Sequence, residues 1–158
     1  MSSKADASSS FVWPPVIYAT GAVLSGAMAW IARWPFEAFA PGVLWQLAGA
    51  GLIAAGIGLL AAAVTRFNRA KTPTAPTAPT KALVFDGIYR FTRNPMYLGM
   101  TLILLGLGFA LDQLWFLIAV PAAMFAVTKL AIEREEAYLE RRFGAPYLAY
   151  KAKVRRWL

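Results

Sequence analysis

Residues 44–64 read LWQLAGAGLIAAGIGLLAAAV, an uncharged stretch ending in a basic cluster of Arg66, Arg69 and Lys71. A helix crossing the hydrocarbon core of a bilayer needs roughly 20 apolar residues, so this run predicts a membrane span. Gly49, Gly51, Gly56 and Gly58, set among alanines, predict close approach by a neighbouring helix. On its N-terminal side, residues 11–31 form another uncharged run, with Pro14 and Pro15 in a first helical turn, where proline costs little. Between the two runs, Arg33, Trp34, Trp45 and residues 35–42 read as an interfacial turn with aromatic anchors. On the C-terminal side, residues 94–111 and 113–128 are two further apolar runs, joined by a turn at Asp112 and Gln113. Both are short for a span; local bilayer thinning or a snorkelling Lys129 accommodates them, and a re-entrant hairpin is the alternative.

Composition agrees. Of 158 residues, 59% are hydrophobic and 15% charged, against about 25% charged in soluble domains. The chain has no cysteine and no histidine. That excludes disulfides, thiolate metal sites, a cysteine nucleophile and a Ser-His triad, and no metal is expected. The net charge of +8 flanks apolar spans and carries no nucleic-acid recognition module, so it reads as a membrane-orientation signal.

The predicted fold is all-α and integral to the membrane, with about four transmembrane helices followed by C-terminal interfacial amphipathic helices. Residues 1–10 are polar, serine-rich and expected to be disordered; they do not read as a signal peptide. Residues 11–65 hold the first two spans and 66–93 a basic, proline-rich connector. Within it, TPTAPTAPT at 72–80 reads as an extended spacer of at most about 28 Å at ~3.1 Å per residue. Residues 94–132 hold the third and fourth spans, and 133–158 complete the site. Most Lys and Arg fall in 66–93 and in the C-terminal segment, so the positive-inside rule places both, and both termini, in the cytoplasm.

Three clusters carry possible chemistry. In the first, Asn94-Pro95 suits a helix start, with Asn as N-cap and Pro at the first position. Its free N–H groups, beside Arg90 and Arg93, attract a carboxylate or phosphate. Gly99, one turn in, admits a ligand or a neighbouring helix. A capped helix with basic interfacial anchors explains the same residues without a ligand. The second cluster is Glu133-Arg134-Glu135-Glu136. Carboxylates at the end of a membrane helix oppose the helix dipole, which marks a functional arrangement or a solvated face balanced by Arg134, Arg141 and Arg142. In the third, Gly144 ends one helix and Pro146 starts the next, placing Tyr147 and Tyr150 on one face. Arg155, Arg156 and Trp157 read as interfacial anchors.

Taken in order, G-I-Y-R-x-x-R-N-P-M-Y-x-G (87–99), an apolar hairpin, E-x-E-E (133–136), F-G-x-x-Y-x-x-Y (143–150) and the basic R-R-W (155–157) resemble the membrane methyltransferases. That superfamily holds the isoprenylcysteine carboxyl methyltransferases and the phospholipid N-methyltransferases. The resemblance covers about residues 80–158. Many members have histidine where this chain has Asn94, which can hydrogen-bond but cannot hold a charge. The resemblance implies an S-adenosylmethionine site on the cytoplasmic side, drawn from Tyr89, Arg93, Asn94, Pro95, Tyr97, Gly99, Glu135 and Glu136. It implies catalytic roles for Glu135, Glu136 and Tyr147, and acceptor contacts from Arg90, Tyr147 and Tyr150. The expected acceptor is a membrane lipid or lipid-linked molecule, with a phosphatidylethanolamine-type amine preferred over a prenylcysteine carboxylate. A membrane sterol-type reductase and a small four-helix transporter are the more distant readings. The transporter lacks an ionisable residue within its spans.

Overall fold

A computed structural model describes residues 13–35, 42–72, 80 and 82–158. The expectations for residues 1–10, for the body of the TPTAPTAPT spacer and for the middle of the 35–42 turn lie outside the described residues. Within them, every regular element is helical: α1 (Pro14–Ile31), α2 (Gly42–Arg69), a short 3₁₀ turn (Gly87–Arg90), α3 (Pro95–Ala110), α4 (Trp115–Val127), a π turn (Thr128–Ile132), α5 (Glu133–Phe143) and α6 (Ala145–Lys153). Three helices are long and apolar enough to cross a membrane: α1, α2 and the continuous Trp115–Phe143 helix that joins α4, the π turn and α5. The fourth apolar run is therefore not short, because the chain stays helical through the π turn into the charged segment. At 16 residues, α3 rises only about 24 Å and is the short member of the set.

The central contact is between α2 and α3, and small residues make it. The buried residues of α2 are Gly49, Gly56 and Ala63, one every seven positions. A Cβ on Gly56 would stand 2.6 Å from the Gly99 carbonyl oxygen, and one on Gly99 would stand 2.8 Å from that of Gly56. Gly49 and Gly106 repeat the arrangement at 2.6 and 2.8 Å. With no aqueous driving force between helices in lipid, such backbone proximity supplies the packing contact. Gly51 and Gly58 do not share in it: no atom among the described residues lies within 4 Å of a Cβ built on either. Leu44, Leu47 and Ile57 on the same helix are exposed, as side chains facing lipid are.

α1 docks on α3 and α4. The Tyr18 hydroxyl donates to the Tyr97 carbonyl at 3.2 Å and lies 2.9 Å from Thr101 Oγ1. At the end of the bundle carrying the α3–α4 turn, Trp115 Nε1 donates to the Ala32 carbonyl at 2.6 Å, and Trp34 meets Trp115 edge-on at 5.4 Å. Trp45 stacks on Phe109. The opposite end gathers the described residues of the 66–93 connector and the C-terminal segment.

Gly56→Leu should lower stability by about 1–3 kcal/mol or more, through overpacking against Gly99 and Ile103. Gly58→Leu, on the open face, should stay within about 0.5 kcal/mol of the parent. Thermal unfolding of both variants in one detergent checks the contrast.

Candidate functional site

The basic end is built by long-range pairing. Arg66 near the end of α2 binds Asp86 at 2.5 Å. Gly87 then adopts φ +59, the left-handed region that favours glycine, with the Arg66 guanidinium lying against it. The 3₁₀ turn that follows buries Tyr89, whose ring lies 5.5 Å from that of Phe67. Next, the chain is tied to its own C-terminal segment. Arg93 N donates to the Arg155 carbonyl at 3.0 Å, and Thr92 Oγ1 donates to that of Arg156 at 3.1 Å. Asn94 occupies the N-cap position with Pro95 first in α3, as expected, but makes no side-chain cap bond. Its Nδ2 instead donates to the Arg156 carbonyl at 2.9 Å. The amide is spent on anchoring the tail.

The π turn decides where the acidic cluster points. On an unbroken α-helix, at about 100° per residue, Glu136 would lie about 180° around from Val127. One extra residue in a wide turn takes back about 100°, which brings Glu135 close to the Val127 face and Glu136 about 80° to one side. Burial agrees. Ala123, Val127, Ile132 and Glu136 are all buried, Glu136 at 5% exposure. Glu133 is left outside, paired with Lys129 at 2.7 Å.

The two inner carboxylates have different partners. Arg156 holds Glu136 in bidentate fashion, Nε to Oε1 at 3.0 Å and Nη2 to Oε2 at 2.8 Å. Arg93 Nη2 adds a contact at 3.2 Å to Oε1. Glu135 Oε1 accepts a 2.6 Å hydrogen bond from the Tyr97 hydroxyl. Arg156 is therefore a structural partner of the acidic cluster rather than an interfacial anchor, and Trp157 packs against the buried core. Neither role follows from local sequence, since the pairing spans twenty residues and a helix break.

A cavity lies where these elements meet. Of the residues expected at a site, Tyr89, Arg93, Asn94, Pro95, Tyr97, Glu135, Glu136, Tyr147 and Tyr150 all line it. Two do not. Arg90 is exposed and points elsewhere, and Gly99 faces α2, serving helix packing rather than ligand approach. Sequence reading missed Phe67, Thr80, Ala82, Leu83, Val84, Met96, Tyr138 and Leu139, which complete the wall. The connector reaches the cavity because Thr80 N donates to Tyr138 Oη at 3.2 Å and Arg142 Nε donates to the Thr80 carbonyl at 2.7 Å. Tyr150 Oη donates to the Tyr89 carbonyl at 2.7 Å and fixes α6 over the opening.

Burial pushes the Tyr147 phenol up to about 12, with the Glu136 charge adding and the Arg93 charge opposing. Burial also raises Tyr89 and Tyr150, the latter further through Tyr147. These phenols are neutral at physiological pH; Tyr150 donates to the Tyr89 carbonyl, and Tyr147 accepts from Arg93.

The chain belongs to the phospholipid methyltransferase family, whose model matches residues 44–146. The match begins in α2 and ends at the start of α6, so it takes in the glycine contact, the helix start at Asn94 and the acidic cluster. An uncharacterized protein of Haemophilus influenzae is 43% identical over 63 residues, which are 40% of this chain and all of that relative. No solved structure matches the chain.

Glu136→Ala should destabilise the fold by about 3–5 kcal/mol, because it strands the buried Arg93 guanidinium and frees Arg156. Glu133→Ala, at an exposed pair, should leave the melting temperature unchanged. Thermal unfolding of the two variants in parallel separates the roles of these neighbouring carboxylates.

Proposed function

We propose that this protein transfers a methyl group from S-adenosylmethionine to the amine of a phosphatidylethanolamine-type lipid, and that its basic end faces the cytoplasm. The observation that carries this reading is the cavity at the basic end. It puts the Glu135–Tyr97 pair, the R-N-P-M-Y helix start and three buried phenols around one space. Family membership supports the reaction class.

The residues present suit the cofactor. A sulfonium and an ammonium are attracted by aromatic faces and by a carboxylate, and Tyr89, Tyr97, Tyr147 and Glu135 supply both. When bound, S-adenosylmethionine supplies an electrophilic methyl group on a good leaving group. The protein's share of the work is then alignment and exclusion of water. An amine acceptor must also lose a proton. Glu135 is the acceptor for it, because a neutral hydroxyl holds it. Glu136 is a poorer base, with both oxygens engaged by guanidinium groups. Tyr147, protonated, donates a hydrogen bond to the substrate. The site lies at the end of the spanning helices, where a lipid headgroup meets water and its acyl chains stay in the bilayer.

Calorimetry with S-adenosylhomocysteine tests the cofactor, and absence of binding by the folded protein sinks it. Labelled methyl transfer to phosphatidylethanolamine rather than to a prenylcysteine carboxylate tests the acceptor. Glu135→Gln should lower the rate by about 10²-fold or more while S-adenosylhomocysteine still binds. Tyr147→Phe should leave the shape of the pH–rate profile unchanged between about pH 6 and pH 10, since the phenol does not titrate in that range. A lost or shifted limb would assign Tyr147 to proton transfer after all.

A further inference from the structure

Arg93, in the cavity wall, pairs with Glu136 and Tyr147 yet keeps unpaired donors. Its side chain is 9% exposed, yet its Nε and Nη1 are buried without a hydrogen-bond partner among the described residues. Only Nη2 reaches Glu136, at 3.2 Å. That carboxylate is already shared, because Arg156 grips both of its oxygens. One buried carboxylate thus faces two guanidinium groups, while Lys151, 4.0 Å from it, is paired with Glu140. Burying charged donors without acceptors is costly. An oxyanion in the cavity would satisfy the unpaired N–H groups of Arg93.

We propose that Arg93 is an oxyanion-binding residue of this cavity and that it takes the phosphodiester of the lipid acceptor; the proposal rests on the methyl-transfer reading above. Depth favours the phosphodiester. Arg93 immediately precedes the first turn of α3, whose apolar residues begin at Pro95, so it sits at headgroup level rather than in hydrocarbon. Charge pattern favours it too. Arg93 and Glu135 line the same cavity and present a cation and a carboxylate to a headgroup that carries a phosphate and an ammonium. Tyr147, beside Arg93, offers a further donor. Guanidinium suits phosphate through several N–H groups held in one plane, which a lysine ammonium cannot reproduce. The rival source of the same chemistry is the carboxylate of the cofactor.

The test uses the full chain in detergent with three probes: dihexanoyl phosphatidylethanolamine, dodecylamine (an amine without phosphate) and S-adenosylhomocysteine. The variant is Arg93→Lys, which keeps a positive charge opposite Glu136. It should weaken phosphatidylethanolamine binding by about tenfold or more, while dodecylamine and S-adenosylhomocysteine bind as they do to the parent. Unchanged phosphatidylethanolamine binding overturns the proposal, as does failure of the parent to bind that lipid. A loss confined to S-adenosylhomocysteine also overturns it and assigns Arg93 to the cofactor carboxylate. Failure of the methyl-transfer reading shows separately, as a parent protein that does not bind S-adenosylhomocysteine. If Arg93→Lys does not fold, Arg93→Gln, which leaves Glu136 in its bidentate pair with Arg156, should show the same selective loss.

Discussion

The carboxylate of Glu136 is the point on which the working end of this protein turns. It is buried, it receives a bidentate grip from Arg156 and it contacts Arg93. Three parts of the chain meet there: the start of α3, the charged extension of the long helix and the C-terminal segment. The backbone reinforces the meeting, because Thr92 and Asn94 both donate to the Arg156 carbonyl. A buried charge held by two guanidinium groups tolerates little displacement, since each partner is costly to leave unpaired. The geometry of the cavity wall follows from that intolerance.

Two devices within the helices make the meeting possible. The α2–α3 contact, glycine against glycine at two levels, sets α3 close to its neighbour. The π turn at Thr128–Ile132 rotates the helix so that Glu135 and Glu136 both face inward. Without that rotation Glu136 would lie about 180° around the helix from Val127. Wide turns of this kind recur at functional sites because they re-aim side chains without breaking the helix.

The location of the cavity matches the chemistry of a family that acts on phospholipids. Apolar spans hold the protein at a fixed depth, and the cavity opens where they end. On the proposed reading, a headgroup reaches it from the bilayer surface while its tails remain in lipid. Tyrosines suit this boundary, each having an apolar ring and a polar tip. Here the tips are used internally, Tyr97 on Glu135 and Tyr150 on the Tyr89 carbonyl, which leaves the rings to line the space.

The spans, the helix start at Asn94, the break at Gly144 and the family motifs were legible in the amino-acid sequence, because each depends on neighbours a few residues away. Hydropathy over twenty residues is a local property, and so is the fixed φ of proline after an asparagine. Of the expected site residues, all but Arg90 and Gly99 line one cavity. What only the tertiary structure decided is who partners whom. Arg156 read as an interfacial anchor became the clamp on Glu136. Asn94 gave its amide to the tail instead of capping its own helix. Thr80, Ala82, Leu83 and Val84 joined the cavity wall, Thr80 through Tyr138 and Arg142. Gly99 went to the helix contact. These outcomes depend on pairings across twenty to sixty residues and on a one-residue rotation inside a helix, and neither leaves a periodic trace in the sequence.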